Sequence, residues 1–150
     1  MINIKNRQRK IPVNTQQLAD AASAMLLAAG YPDFDLSILL TTNKSIRVFN
    51  KKFRGKDKPT DILSFPYYPK LKPGQKIKPL SDDEKYLGDL IISLEYALKD
   101  APATWARPFR EHLVALVAHG IAHLLGYDHL QDNDWALMQE QEKKLLQTVK

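Results

Sequence analysis

The sequence predicts an α+β fold in which helices cover a small mixed β-sheet. Short apolar runs typical of strands are interspersed with segments whose apolar residues recur every three or four positions, as in amphipathic helices. Their order lacks the strict strand–helix–strand repetition of a fully parallel sheet, so we expect a mixed sheet. The 150 residues, 44% hydrophobic and 26% charged, suffice for one hydrophobic core, and we expect a single domain over residues 1–150.

The first strand and helix are delimited by residues with defined conformational preferences. Residues 2–4 can begin an edge strand. Asn14 or Thr15 can cap the helix that follows, because a short polar side chain there accepts a hydrogen bond from a free amide of the first turn. Gly30, followed by Pro32, ends this helix, since glycine readily adopts the left-handed conformation found at helix C-termini.

A second strand and helix come next. Residues 36–41 alternate in polarity and predict a strand with one apolar face. Thr42 or Asn43 caps a short helix. The predicted buried side of this helix carries Ile46, Phe49 and Phe53, with lysines on the outer side. The turn-rich, basic segment 54–59 predicts a loop after the helix.

The middle of the chain predicts two more strands separated by a loop. Residues 61–65 predict a strand that Pro66 ends, because proline cannot donate a hydrogen bond to a neighbouring strand. Three prolines and a glycine within residues 69–79 predict a flexible excursion. The apolar run in residues 87–93 predicts a strand in the interior of the sheet.

Three helices are predicted after this strand. The first begins at Glu95. The second begins at Pro108, whose fixed φ suits a first helical turn, and it carries most of the histidines. The last is capped by the pair Asp132-Asn133.

Three of the four histidines lie within eleven residues. His119 and His123 are four residues apart, so on a helix their side chains project from one face and both can reach one metal ion. Gly126 tolerates the positive φ with which the helix can end and the chain turn back, which would bring His129 to the same ion. Three protein ligands leave a fourth tetrahedral position open, as in catalytic zinc sites. We therefore predict one zinc ion per chain, although three imidazoles also accept nickel or cobalt.

The residues around these histidines narrow the chemistry. The spacing resembles the H-E-x-x-H-x-x-G-x-x-H signature of metzincin proteases, but Gly120 stands where those enzymes have their general-base glutamate. Compared with the metzincin signature, the sequence therefore has the metal-binding histidines but lacks the general base of a peptidase. Asp128 is the nearest carboxylate, and two roles stay open: it orients a ligand imidazole, or it accepts a proton from bound water. His112 has no spacing partner and is predicted to be an ordinary packing or surface residue.

Positive charge is concentrated in one segment. Residues 44–78 carry eleven Lys or Arg against two Asp, whereas residues 79–150 carry seven basic and twelve acidic side chains. A solvated basic loop would explain such a run, but beside a metal site it favours a surface for a polyanion, and we predict nucleic acid as the partner.

Several classes of protein are disfavoured by composition. The N-terminus lacks the apolar region of a signal peptide, and no apolar stretch approaches membrane-spanning length, so no membrane partner is expected. The absence of cysteine excludes disulfides and thiolate ligands, and it fits a cytoplasmic location.

Three blocks of the sequence resemble the YbeY family of bacterial endoribonucleases. They read FRGKDKPTDILSFP over residues 53–66, LGDLIIS over residues 87–93 and HGIAHLLGYDH over residues 119–129. Their order, with the strands and helices between them, covers nearly the whole chain. Two departures are small: Ala122 replaces a common leucine, and the basic loop of residues 69–78 lies outside the shared blocks.

The resemblance implies a zincin-like fold and a single-strand-specific, metal-dependent endoribonuclease. Family members act in maturation of the 3′ end of 16S rRNA and in ribosome quality control, so single-stranded RNA, small-subunit rRNA and the ribosome or its small-subunit proteins are the implied partners. By position, His119, His123 and His129 are the implied metal ligands. Arg54 corresponds to the family's functionally important arginine, and its guanidinium can bind a phosphodiester bidentately.

Three hypotheses follow. In the leading one, RNA is bound by Arg54 and the neighbouring Lys52, Lys56 and Lys58, and either a zinc-activated water or the RNA's own 2′-hydroxyl attacks the phosphodiester. In the second, the enzyme is a metalloprotease or amidase, against which Gly120 and the basic surface both argue. In the third, the protein is a ribosome-associated assembly factor whose zinc is mainly structural, which a fourth protein ligand would support.

Overall fold

A computed structural model describes residues 1–104, 107–130 and 132–149. In chain order, the elements are β1 (Ile2–Asn6), α1 (Thr15–Ala29), β2 (Asp35–Thr41), α2 (Asn43–Arg54), β3 (Ile62–Pro66), β4 (Tyr86–Ser93), α3 (Leu94–Thr104), α4 (Phe109–Leu124) and α5 (Asp132–Leu146). The order and type of the elements confirm the predicted α+β class.

The strands form one mixed sheet in the order β1-β2-β4-β3. The pairs β1–β2 and β2–β4 are parallel, whereas β3 runs antiparallel to β4. The apolar strand β4 lies in the interior of the sheet and β1 at one edge, as the sequence predicted. Strand β3 forms the other edge, and the functional groups described below lie around it.

Apolar side chains cover both faces of the sheet. Along β4, Leu90 and Ile92 belong to the main core together with residues of α1, α4 and α5, while Ile91 points to the other face. On that second face, Ile91 packs in a small cluster with Ile46 of α2 and Leu63 of β3. Helices α4 and α2 therefore lie on opposite faces of the sheet, with edge strand β3 between them.

The helix caps resolve two alternatives that the sequence left open. The side chain of Asn14 accepts a hydrogen bond from the backbone amide of Gln17 and caps α1. Thr42 does the same for α2 through the amide of Ser45. The side chain of Asp132 lies outside the described residues, so its predicted capping of α5 stays a prediction. Among the described residues, every helix is too short or too polar to cross a bilayer.

Two predictions about the end of α2 and about β3 differ in detail from the structure. Phe53, predicted to be buried, is 53% exposed, because it lies in the last turn of α2 beside an edge strand. Strand β3 spans residues 62–66 rather than the predicted 61–65, and it ends at Pro66, as predicted. Its neighbour Tyr67 donates to the carbonyl of Leu87 in β4. By alternation, the nitrogen of Pro66 faces the free edge, where a missing N–H costs nothing.

The loop of residues 69–79 is anchored rather than a free excursion. Ile77 is buried, and its amide donates a hydrogen bond to the Tyr31 hydroxyl. Leu71 lies against the turn that follows α4, where its carbonyl oxygen faces Gly126. The prolines and glycine predicted a lack of regular structure, which is correct, but apolar side chains within the loop fix it to the body of the protein.

Candidate metal centre

Helix α4 carries His119 and His123, and Gly120 lets this helix lie close to the sheet. A Cβ added at Gly120 would lie 2.7 Å from a methyl carbon of Leu90 and 2.9 Å from one of Ile62. Position 120 therefore faces the sheet, where a larger side chain would have to displace core residues. The general-base glutamate of a metzincin has no room there, which explains physically why this position holds glycine.

A Schellman turn ends α4 and reverses the chain toward the third histidine. The amide of Tyr127 donates to the carbonyl of Ala122 and that of Gly126 to the carbonyl of His123, both at 3.0 Å. Gly126 has the positive φ of 96° that this motif requires. A Cβ at Gly126 would lie 2.4 Å from the carbonyl oxygen of Leu71, so the anchored loop supports the turn from outside.

The turn brings the three histidines together. One ring nitrogen from each of His119, His123 and His129 lies within 4.8 Å of the others. The Nε2 atoms of His119 and His123 are 3.1 Å apart. Two nitrogens that each lie about 2.0–2.1 Å from one zinc ion, at a tetrahedral angle, are about 3.3 Å apart, so this donor set fits such an ion. His112 is apart from this cluster: it is fully buried, and its Nδ1 accepts a hydrogen bond from Arg107.

Glu142 of α5 is part of the site and was not predicted from the sequence. Its carboxylate forms a hydrogen bond with Nδ1 of His119, and both side chains are partly buried. Such a contact fixes the ring with its proton on Nδ1, so that Nε2 is left to bind a metal ion. One signal was available in the sequence: the apolar residues Met138 and Leu145 lie four positions before and three after Glu142, which is helical spacing. Both are buried, so the Glu142 carboxylate lies on the inner face of an amphipathic helix.

Asp128 does not make the contact that the first of its two predicted roles requires. Its Oδ1 accepts a hydrogen bond from the backbone amide of His129 at 2.8 Å, which orders the turn, whereas Glu142 binds a histidine ring. Burial, with the charge of His119 as a second cause, lowers the pKa of His123 to about 4, and Asp128 acts in the opposite direction. His123 is therefore neutral at neutral pH, the form that binds metal ions.

Arg54 lies at the end of α2, on the free edge of β3. Its Nη2 donates to the backbone carbonyl of Ser64 at 2.7 Å, and its Cζ lies 5.7 Å from the centre of the Phe65 ring. Ser64 can accept there because the alternation of hydrogen bonds along β3 points its carbonyl away from β4. In the described part of the chain, no hydrogen bond or ion pair connects Arg54 with the histidines.

The predicted RNA-binding lysines flank Arg54 in the sequence. Lys52, Lys56 and Lys58 are all exposed, and they lie in the last turn of α2 or in the loop that follows it. Of the two acidic residues in this loop, Asp57 is paired with Arg47 at 2.8 Å, and Asp61 accepts a hydrogen bond from the backbone amide of Ile62. These lysines therefore keep a net positive surface beside the edge strand.

Comparisons with known proteins agree with this architecture. The family model described as endoribonuclease YbeY matches residues 3–150. The endoribonuclease YbeY of Homo sapiens is 33% identical over 143 residues, which cover 95% of this chain and 84% of that protein. The endoribonuclease YbeY of Sinorhizobium fredii is 38% identical over 135 residues, or 87% of this chain and 73% of that protein.

A solved structure supports the same conclusion. The solution structure of TM1509 from Thermotoga maritima matches with a TM-score of 0.63 and 25% identity, covering 99% of this chain and 89% of that one. The fold, the histidine geometry and the family match over nearly all residues lead to one assignment: this chain belongs to the endoribonuclease YbeY family.

Proposed function

We propose that residues 1–150 form a single metal-dependent endoribonuclease domain that cleaves single-stranded RNA. The observation that carries this proposal is the convergence of the ring nitrogens of His119, His123 and His129 within 4.8 Å. Family membership and the basic segment of residues 44–78 support the choice of RNA as substrate.

The three histidines would bind one divalent ion. Zinc suits three imidazoles, and nickel or cobalt would also be accepted. When bound, such an ion supplies Lewis-acid chemistry: it stabilises negative charge on a phosphate oxygen and lowers the pKa of the attacking group. Among the described residues, the cluster contains three protein ligands, which is typical of catalytic rather than structural zinc sites.

The chain's own residues have separate tasks in this scheme. Glu142 keeps the His119 ring in one orientation and tautomer. Arg54 uses one N–H to bind Ser64, and the guanidinium has further donors with which it would bind a phosphodiester and offset the charge of the transition state. Lys52, Lys56 and Lys58 would contact phosphates along the strand. Asp128, close to His123, remains the proposed proton acceptor.

Two nucleophiles are compatible with this site, and their products differ. Attack by the RNA's 2′-hydroxyl leaves a 2′,3′-cyclic phosphate, whereas attack by water leaves a linear phosphate on one side of the cut. Identifying the new ends by mass spectrometry therefore assigns the nucleophile, independently of which residues bind the strand.

The cellular substrate that we propose is the 3′ region of 16S rRNA, with a further role in ribosome quality control in the cytoplasm. This proposal rests on the family resemblance of the three sequence blocks and on the basic surface. It makes the small ribosomal subunit or its proteins the expected partners. An assembly factor with a structural zinc is the competing function, and the three-ligand cluster argues against it.

A substrate panel tests the proposed activity. Metal-loaded protein is incubated with single-stranded RNA, duplex RNA and casein, each with and without a chelator. We expect cleavage of single-stranded RNA alone, and only without chelator. Cleavage of casein would instead support a protease, a result at odds with the packing of Gly120 against Leu90 and Ile62. Failure to cleave any substrate would favour the assembly factor.

A further inference from the structure

An exposed aromatic ring lies within the basic segment of residues 44–78. Phe53, in the last turn of α2, is 53% exposed. Its ring stacks on Phe49 with centroids 6.3 Å apart, and it meets Phe65 edge to face at 5.2 Å. Two neighbouring rings thus hold Phe53 in place while about half of its surface stays accessible to solvent.

One cation lies beside this ring and a second lies beside its neighbour Phe65. The ammonium group of Lys52 lies 5.3 Å from the centroid of Phe53, and the guanidinium of Arg54 lies 5.7 Å from that of Phe65. The exposed Lys56 follows in the next loop. Exposed aromatic surface beside positive charge suits a partner that combines flat rings with negative charge, as unpaired nucleic acid does.

We propose that Phe53 is a stacking site for an unpaired nucleobase of the RNA, with Lys52 contacting the adjoining phosphate. The proposal rests on the proposed function, and it deepens it by naming a residue that discriminates single strands from duplexes. Lysines alone do not favour single strands, because a duplex has the higher charge density. Bases in a duplex are stacked on one another, so only an unpaired base can stack on a protein ring.

The fixed position of the Phe53 ring increases the affinity that is gained when a base stacks on it. Because Phe49 and Phe65 already hold Phe53, little side-chain freedom is lost when a base binds. Stacking on one aromatic side chain changes affinity by about tenfold or somewhat more in single-strand-binding proteins. The same helix offers a matched control in Val48, which is apolar and 63% exposed but is not part of the aromatic cluster.

Binding measurements on the full-length, metal-loaded protein test the stacking site. Phe53→Ala should weaken binding of a single-stranded oligoribonucleotide about tenfold, while duplex affinity and the salt dependence stay at wild-type values because no charge is removed. Phe53→Trp should retain affinity, and Val48→Ala should match wild type. With an oligoribonucleotide that contains 2-aminopurine, wild type should quench the fluorescence of the base and Phe53→Ala should not.

The outcomes separate this proposal from the proposed function. If wild type binds and cleaves single-stranded RNA and Phe53→Ala does so equally well with equal quenching, the stacking site is refuted and the enzyme stands. If Phe53→Ala weakens single-strand and duplex binding alike, Phe53 acts through local structure, and stacking is refuted as well. If wild type neither binds nor cleaves RNA, both proposals fail. Thermal unfolding of each variant verifies that it is folded.

Discussion

Glu142 and His119 form a hydrogen bond across a sequence separation of 23 residues. This contact joins α5 to α4 at the point where the histidines converge. It makes the C-terminal helix part of the candidate metal centre, although that helix supplies no metal ligand among the described residues. The carboxylate fixes the orientation of the imidazole, as outer carboxylates do in other histidine metal sites.

Removing the Glu142 carboxylate should weaken metal binding. We expect Glu142→Ala to lower zinc affinity by about tenfold to a hundredfold, and Glu142→Gln to have an intermediate effect, because the amide oxygen still accepts from Nδ1 without the charge. Competition with a chromophoric chelator measures the affinity. Glu140→Gln is the control, since the side chain of Glu140 is exposed and pairs only weakly with Lys144. Wild-type affinity in Glu142→Ala would show that the contact has no role in metal binding.

Gly126 should be less replaceable than Gly74, which also has a positive φ. Gly126→Ala and Gly74→Ala both place a Cβ in the left-handed region, at a cost of roughly 1–2 kcal/mol. The Cβ at position 74 meets nothing within 4 Å, whereas that at 126 would meet the backbone of Leu71 at 2.4 Å. The free energy of unfolding should therefore fall by roughly 1–3 kcal/mol more in Gly126→Ala than in Gly74→Ala, by analogy with overpacked sites.

Urea denaturation of the two glycine variants compares these costs. Because the turn at Gly126 carries the chain to His129, Gly126→Ala should also bind zinc more weakly, while Gly74→Ala should bind it as wild type does. Equal stabilities of the two variants would mean that the loop yields without cost and does not support the turn.

RNA affinity should depend on the basic end of α2. Reversal of Lys52, Lys56 and Lys58 to Glu should weaken RNA binding and reduce the slope of log affinity against log salt by about 2, since about 0.7 counterion is released per phosphate contact of a single strand. A triple reversal of Lys99, Arg110 and Lys144, which are exposed and lie outside the basic segment, has the same change in net charge and is the control. Equal slopes in the two triple variants would place the RNA elsewhere.

Arg54 should affect turnover more than folding. Arg54→Ala removes the guanidinium that we place on the scissile phosphate, and the single-turnover rate should fall on the order of a hundredfold, as when one transition-state donor is lost. The hydrogen bond to Ser64 implies a small loss of stability, about 1 kcal/mol. Arg54→Lys should recover the rate only in part, because a point charge does not reproduce the planar fork.

Saturating enzyme separates this chemical step from binding in the Arg54 variants. A wild-type single-turnover rate for Arg54→Ala would show that Arg54 has no role in the chemical step and is only a surface cation that stabilises the edge of β3.

The sequence predicted the features that depend on a few consecutive residues better than it predicted contacts between residues far apart in the chain. The spacing of His119 and His123 and the glycine at 126 are local features, because helix geometry and a Schellman turn each depend on a few consecutive residues. The contact of Glu142 depends on how α5 packs against α4, and no spacing rule near the histidines contains it. Phe53 followed the helical period of a buried face, but β3 turned out to be an edge strand that leaves the ring exposed.

We claim that one metal ion bound by His119, His123 and His129 makes this protein an endoribonuclease. Metal-free protein is titrated with zinc while bound metal and the rate of single-stranded RNA cleavage are measured in the same samples. The rate should rise in proportion to bound zinc and level off at about one ion per chain, the stoichiometry of a three-histidine site. His123→Ala should retain little metal and little activity. Cleavage at the full rate without metal, or by His123→Ala, would contradict the claim.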